Sequence, residues 1–151
     1  MTIVIQDTYL TDYAQGQPGM LADGTTQDRV TGIVADAAGL AFGKAAFGTG
    51  TGRQVTGTPG GKFKGISIAT ATLIAPVGGS ADVYPQYASA TLLDNGNIWV
   101  TAAATVAKDA AVYVTSAGAF TSTASGNTAI PATFLDAGSN GSNVRIRVVQ
   151  Q

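Results

Sequence analysis

Leu92-Leu93-Asp94-Asn95-Gly96-Asn97-Ile98-Trp99-Val100 is the most informative stretch of this chain. Asn-Gly between two apolar runs predicts a β-hairpin, because a type I′ turn needs positive φ at both central residues and Asn and Gly adopt it most easily. Outward from that stretch the β signal continues. Gly65-Ile66-Ser67-Ile68-Ala69-Thr70-Ala71-Thr72 alternates β-branched and small residues, and Pro76 with Gly78-Gly79 closes it. Short strands are expected at Val83-Tyr84 and Ala90–Leu93, and a second hairpin from Val112 to Phe120. Pro131 points the strand near 129–135 to a sheet edge, since proline cannot donate to a ladder. Val144-Arg145-Ile146-Arg147-Val148 alternates strictly, as a strand with one wet face does.

Composition favours the same class. The 151 residues include 20 glycines, 26 alanines and 20 threonines, and all nine acidic residues are aspartate. Aspartate prefers caps and turns where glutamate prefers helix, so the bias is against helices. Gly39 and Gly43 interrupt the alanine-rich stretch 34–46. Residues 101–111 lack a 3.6-residue stripe and are expected to turn between strands. The predicted fold is all-β: a small β-barrel or jelly-roll-like body over 62–151, preceded by an extended glycine-rich N-terminal arm over 1–61. Twelve of the 20 glycines fall in that arm. Its scattered bulky residues predict that it packs poorly alone and orders against a neighbour. Tyr9, Tyr13, Phe42 and Phe47 are its candidate docking residues. Trp99, the one tryptophan, faces away from Ile98 and Val100, into an interface or over one end of the core.

The chemistry is narrow. With no His and no Cys the chain has no imidazole base, no Ser–His or Cys–His pair, no disulfide and no usual zinc, haem or iron–sulfur ligands. Catalytic, cofactor and metal residues are therefore expected to be absent. Eight basic residues, scattered, and a pI near 5.0 argue against nucleic acid as a partner. No run of 18 apolar residues exists to cross a membrane as a helix, and Met1–Asp7 lacks the pattern of a secretion signal. Gly60-Gly61-Lys62 misses the phosphate-loop spacing, with Thr56 and Phe63 at the deciding positions. Asp94-Asn95-Gly96-Asn97 could offer oxygens to a cation, but a turn accounts for it.

Leu40-Ala41-Phe42-Gly43-Lys44-Ala45-Ala46-Phe47-Gly48 leads into Lys64-Gly65-Ile66-Ser67-Ile68-Ala69; Gly96–Val100, Ala107–Val114 and Gly118-Ala119-Phe120-Thr121 follow. In this order the patches resemble the capsid cement, or head decoration, proteins of tailed bacteriophages over roughly residues 30–150. Asp109-Ala110 departs from the pattern, in which a glycine precedes the acidic residue, and this bears on the shape of the turn there. The resemblance implies a small barrel with an arm, no enzyme activity, and a place on the capsid exterior after synthesis in the host cytoplasm. It implies the major capsid protein as partner, together with copies of the chain itself as homodimer or homotrimer. The low charge agrees, since a surface buried in an assembly should carry few ions to desolvate. The competing reading is a receptor- or glycan-binding module of a phage fibre or tail, with Tyr84, Tyr87 and Trp99 as its aromatics.

Overall fold

The computed structural model describes residues 15–71 and 80–150. Tyr9, Tyr13, Pro76 and Gly78-Gly79 lie outside them. Among the described residues there are eleven strands and no helix: β1 (Asp28–Val34), β2 (Leu40–Ala41), β3 (Ala45–Gly48), β4 (Gln54–Thr56), β5 (Phe63–Ser67), β6 (Val83–Tyr84), β7 (Ser89–Thr101), β8 (Ala111–Val114), β9 (Phe120–Thr121), β10 (Thr128–Phe134) and β11 (Asn143–Val149).

Five of these close a barrel in the order β1-β4-β3-β5-β7, with β7 returning to β1. The β1–β4 contact is parallel and the other four are antiparallel. From β7 the sheet then continues outward through β11, β10 and β8 to β9, while β2 and β6 form a separate ribbon. The barrel confirms the all-β reading.

The hairpin expected at Asn95-Gly96 does not form. Residues 89–101 make one 13-residue strand. Asn95 pairs with Asp28 while Leu93 pairs with Arg29, so Asp94 is the extra residue of a β-bulge. The bulge switches the strand's parity. Leu93 faces the same core as Ile66, and beyond the bulge the even-numbered Ile98 and Val100 face it. Gly96, at φ 132°, supplies the conformation that an L side chain rarely adopts. The local Asn-Gly preference is real, but partners on both sides of the strand turn it into a bend instead of a reversal.

Two cores result. Val34, Ala46, Val55, Ala90 and Leu92 fill the barrel, joined by Leu40 and Tyr84 from the β2–β6 ribbon. The larger core lies between the barrel wall and the outer sheet, where Phe47, Phe63, Ile66 and Leu93 meet Val112, Phe120, Phe134 and Ile146. Phe47 and Phe63 contact edge to face at 5.9 Å. Burying a core side chain contributes about 1.5–3 kcal/mol relative to leaving it in water.

This corrects the boundary drawn at Gly61. Residues 28–56 are not a loose arm: they supply β1, β3 and β4, three of the five barrel strands, and Val34, Ala45, Ala46 and Phe47 have no exposed surface. β1 pairs with β7, from Ile33 opposite Ser89 to Asp28 opposite Asn95, a non-local partnership that glycine density does not reveal. Pro131 is likewise not at an edge, because β10 lies between β11 and β8. It sits where the β10–β8 register breaks, between Ala129 and Thr133, so no ladder bond needs its missing donor. The second hairpin is present, with Tyr113 opposite Thr121 and Val114 opposite Phe120. β11 alternates as expected, with Val144, Ile146 and Val148 buried between Arg145 and Arg147. In the turn after Ala107 the left-handed residue is Asp109 itself, at φ 65°; aspartate tolerates that region better than most residues.

Candidate partner-binding surfaces

Trp99 is a fastener for the N-terminal segment. Residues 19–22 run along the distal half of β7: Gly19 N–H donates to the Trp99 carbonyl (2.8 Å), Trp99 N–H to that of Met20 (2.9 Å), and Ala22 N–H to that of Asn97 (3.0 Å). On the other side, Ala69 N–H donates to the Gly19 carbonyl (2.8 Å). This strap fits because it is thin. A Cβ at Gly16 would stand 2.5 Å from the Trp99 indole, and a Cβ at Gly43 would stand 2.6 Å from Gly19 N. Asn143 Nδ2 holds the Gly16 carbonyl at 2.9 Å. The Arg145 guanidinium lies 5.8 Å from the indole centroid and grips Asp136 with two bonds, Nε–Oδ2 at 2.8 Å and Nη2–Oδ1 at 2.6 Å. Those bonds from Arg145 hold the Asp136 carboxyl below the ordinary aspartate range. Trp99 does face away from Ile98 and Val100, yet it is only 8% exposed because the strap covers it.

The other aromatics disperse. Phe47, a proposed docking residue, is wholly in the core and cannot meet a partner. Phe42 is half-buried, its ring edge-on to Tyr84 at 5.2 Å, and it lines a groove of about 680 Å³ with Pro18 and the 46%-exposed Met20. Tyr84 is buried and its hydroxyl donates to the Ile68 carbonyl (2.7 Å). Burial pushes that phenol's pKa up. Among the described aromatics Tyr87 alone is open, 72% exposed on a left-handed residue at φ 64°. Tyr84, Tyr87 and Trp99 thus present no aromatic platform, and the glycan-binding reading loses its motive.

The bulge also shapes its neighbourhood. Asn97 is buried and its Nδ2 donates to Asp23 Oδ2 (2.7 Å), a bond that lowers the Asp23 pKa, while Asn97 Oδ1 has no partner among the described residues. Among the described residues no three His, Cys, Asp or Glu side chains gather as a metal site.

The glycine loops 48–52 and 58–61 meet in a groove of about 830 Å³ beside Lys62 and Lys64. A smaller one of about 260 Å³ adjoins it, sharing both lysines and adding Arg53, Asp94 and Gln150. The backbones cross so closely that a Cβ at Gly61 would collide with the Gly48 carbonyl oxygen. Gly60-Gly61-Lys62 leads into β5 and not into a helix, so a phosphate would find no helix N-terminus. The grouping of Arg53, Lys62 and Lys64 escaped the sequence reading, although a signal exists: residues 37–81 hold four of the eight basic side chains and none of the nine acidic ones.

A family model described as "Structural cement protein (E217 gp24/Pam3 gp6)" matches residues 5–149. Among solved structures, a chain from the capsid of Myoviridae phage XM1 superposes with a TM-score of 0.70, covering 96% of this chain and 97% of that one at 17% identity. At that identity the likeness is one of fold. No curated protein sequence matches.

Proposed function

The chain belongs to the phage structural cement protein family, and on that footing we propose that it binds the outside of a phage capsid and clamps neighbouring major capsid subunits. It works as a homodimer or homotrimer on the shell, after synthesis in the host cytoplasm, with no catalytic step, no cofactor and no nucleic-acid partner. The family match, which spans nearly the whole chain, carries this reading. A strapped barrel with two buried apolar cores supports it, since a clamp must hold its shape. Tyr9 and Tyr13 with the rest of residues 1–14, and Phe42 in its groove with Met20, are the proposed contacts. Trp99 contributes indirectly by holding the strap.

Binding across subunit boundaries stabilises whichever state offers the site by RT ln(1 + [L]/Kd), about 2.7 kcal/mol at a hundredfold excess over Kd. Repeated at every junction, modest affinity suffices to resist packaged DNA. The test compares heads assembled with the full chain, with residues 1–14 deleted, and without the protein. Heads lacking the protein should release DNA sooner on heating, chelation and osmotic shock. The truncated chain keeps all eleven described strands and should fold but bind weakly. Equal resistance of heads with and without the protein would overturn the cement reading.

A further inference from the structure

We infer that the groove between the β3–β4 and β4–β5 loops receives an extended acidic segment of the shell subunit, an assignment that rests on the capsid-binding reading above. Three side chains give the groove its sign. Arg53, Lys62 and Lys64 are exposed, line the two adjoining grooves, and make no ion pair among the described residues. In a protein with eight basic residues in all, three on one groove is a concentration. Two carboxylates also line it. Asp36 is occupied, with Oδ1 accepting from Thr56 Oγ1 (2.6 Å) and Oδ2 from Gly57 N–H (2.7 Å). Asp94, the bulge residue, is half-buried.

The walls suit a polypeptide. Gly50, Gly52 and Gly60 have open space where a side chain would be, so an entering chain can approach their backbone amides closely. Gln150 lines the smaller groove. Its Nε2 donates to the Phe63 carbonyl (2.9 Å), and its Oε1 is buried without a partner among the described residues. A peptide supplies both an N–H for such an acceptor and carboxylates for the cations. A phosphodiester backbone brings acceptors alone, and three cations are few beside the roughly 6–10 phosphate contacts of a typical nucleic-acid binder.

The experiment is carbodiimide crosslinking of decorated heads, read by mass spectrometry, with head binding of the Arg53→Gln/Lys62→Gln/Lys64→Gln triple variant measured over a range of salt. Lys62 and Lys64 should crosslink to carboxylates of the shell subunit, while the exposed Lys108 should not. The variant should keep the wild-type thermal midpoint, bind heads at least tenfold more weakly at low salt, and show a flatter salt dependence. Crosslinks to the shell from Lys108 but not from Lys62 or Lys64 would overturn the inference, as would unchanged binding and salt slope in the variant. Retention of the wild type on a DNA oligonucleotide, lost in the variant while head binding is unchanged, would overturn it in favour of nucleic acid. Failure of the wild-type protein to bind heads at all is a separate result that removes the capsid-binding reading itself.

Discussion

Gly43→Ala should cost far more than its size suggests, and Gly50→Ala supplies the scale. Both glycines are left-handed, at φ 68° and 87°, so each substitution carries a backbone penalty of about 1 kcal/mol or slightly more. At Gly50 nothing lies within 4 Å of the new Cβ, and the penalty ends there. At Gly43 the Cβ would stand 2.6 Å from Gly19 N and 2.8 Å from Pro18 Cβ. Backbone at that distance must move, and it belongs to the strap. Shifting Gly19 removes its bonds to the Trp99 carbonyl and from Ala69 N–H, about 2 kcal/mol at roughly 1 kcal/mol each. Gly43→Ala should therefore lose about 3 kcal/mol in urea unfolding and Gly50→Ala about 1 kcal/mol. The native state has its own reporter, because Trp99 is the only tryptophan. Its emission should shift to the red in Gly43→Ala, as the strap lifts from the indole, and stay in place in Gly50→Ala. Equal losses from the two variants with unchanged emission would refute the account of the strap.

Phe47→Ala should cost about 3–5 kcal/mol by opening a cavity between barrel and outer sheet, and calorimetry should register the loss in the free protein with no capsid present. Gly96→Ala should cost about 1–2 kcal/mol, because φ is 132° and the Cβ would crowd Gln27 Cγ at 3.2 Å; chemical denaturation measures it. Arg145 lowers the Asp136 pKa from its ordinary 3.8, so the pair's stabilisation is present above that value and fades as pH falls through the lower folded value. Asp136→Asn should lose about 1 kcal/mol at neutral pH, with less further loss than wild type on acidification below about pH 4.

What the sequence disclosed was local. Val144 to Val148 alternates because one face of β11 is wet, and that alternation survives any choice of neighbour. The 115–119 turn is local too, closed by Gly118 N–H to the Thr115 carbonyl (2.8 Å) with Gly118 at φ 74°. Asn95-Gly96 misled because its role depends on Asp28 and Val149, its partners on either side. Phe47 misled in a related way: neighbouring glycines and alanines suggested exposure, but small residues are what let β3 be buried on both faces. Of the candidate surface, Phe42 was visible as an aromatic in a thin segment. The convergence of Arg53 with Lys62 and Lys64 was not, since it arises when two loops fold back across Gly48 and Gly61.

β7 has a mechanical meaning. Its first half is a stave of the barrel and its second half the root of the outer sheet, joined by unbroken covalent chain. A pull on the outer sheet along this strand reaches the barrel through bonds to β1 on one side and β5 on the other, with β11 and the strap gripping the far half. Ladder bonds lie across the strand, so such a pull loads them together in shear instead of peeling them one at a time. The bulge at Asp94 puts a bend in this tie rod, and the bend can straighten slightly before the ladders bear the full tension. Two sheets fixed to one rod also cannot yield independently, so the protein should fail under force in a single step.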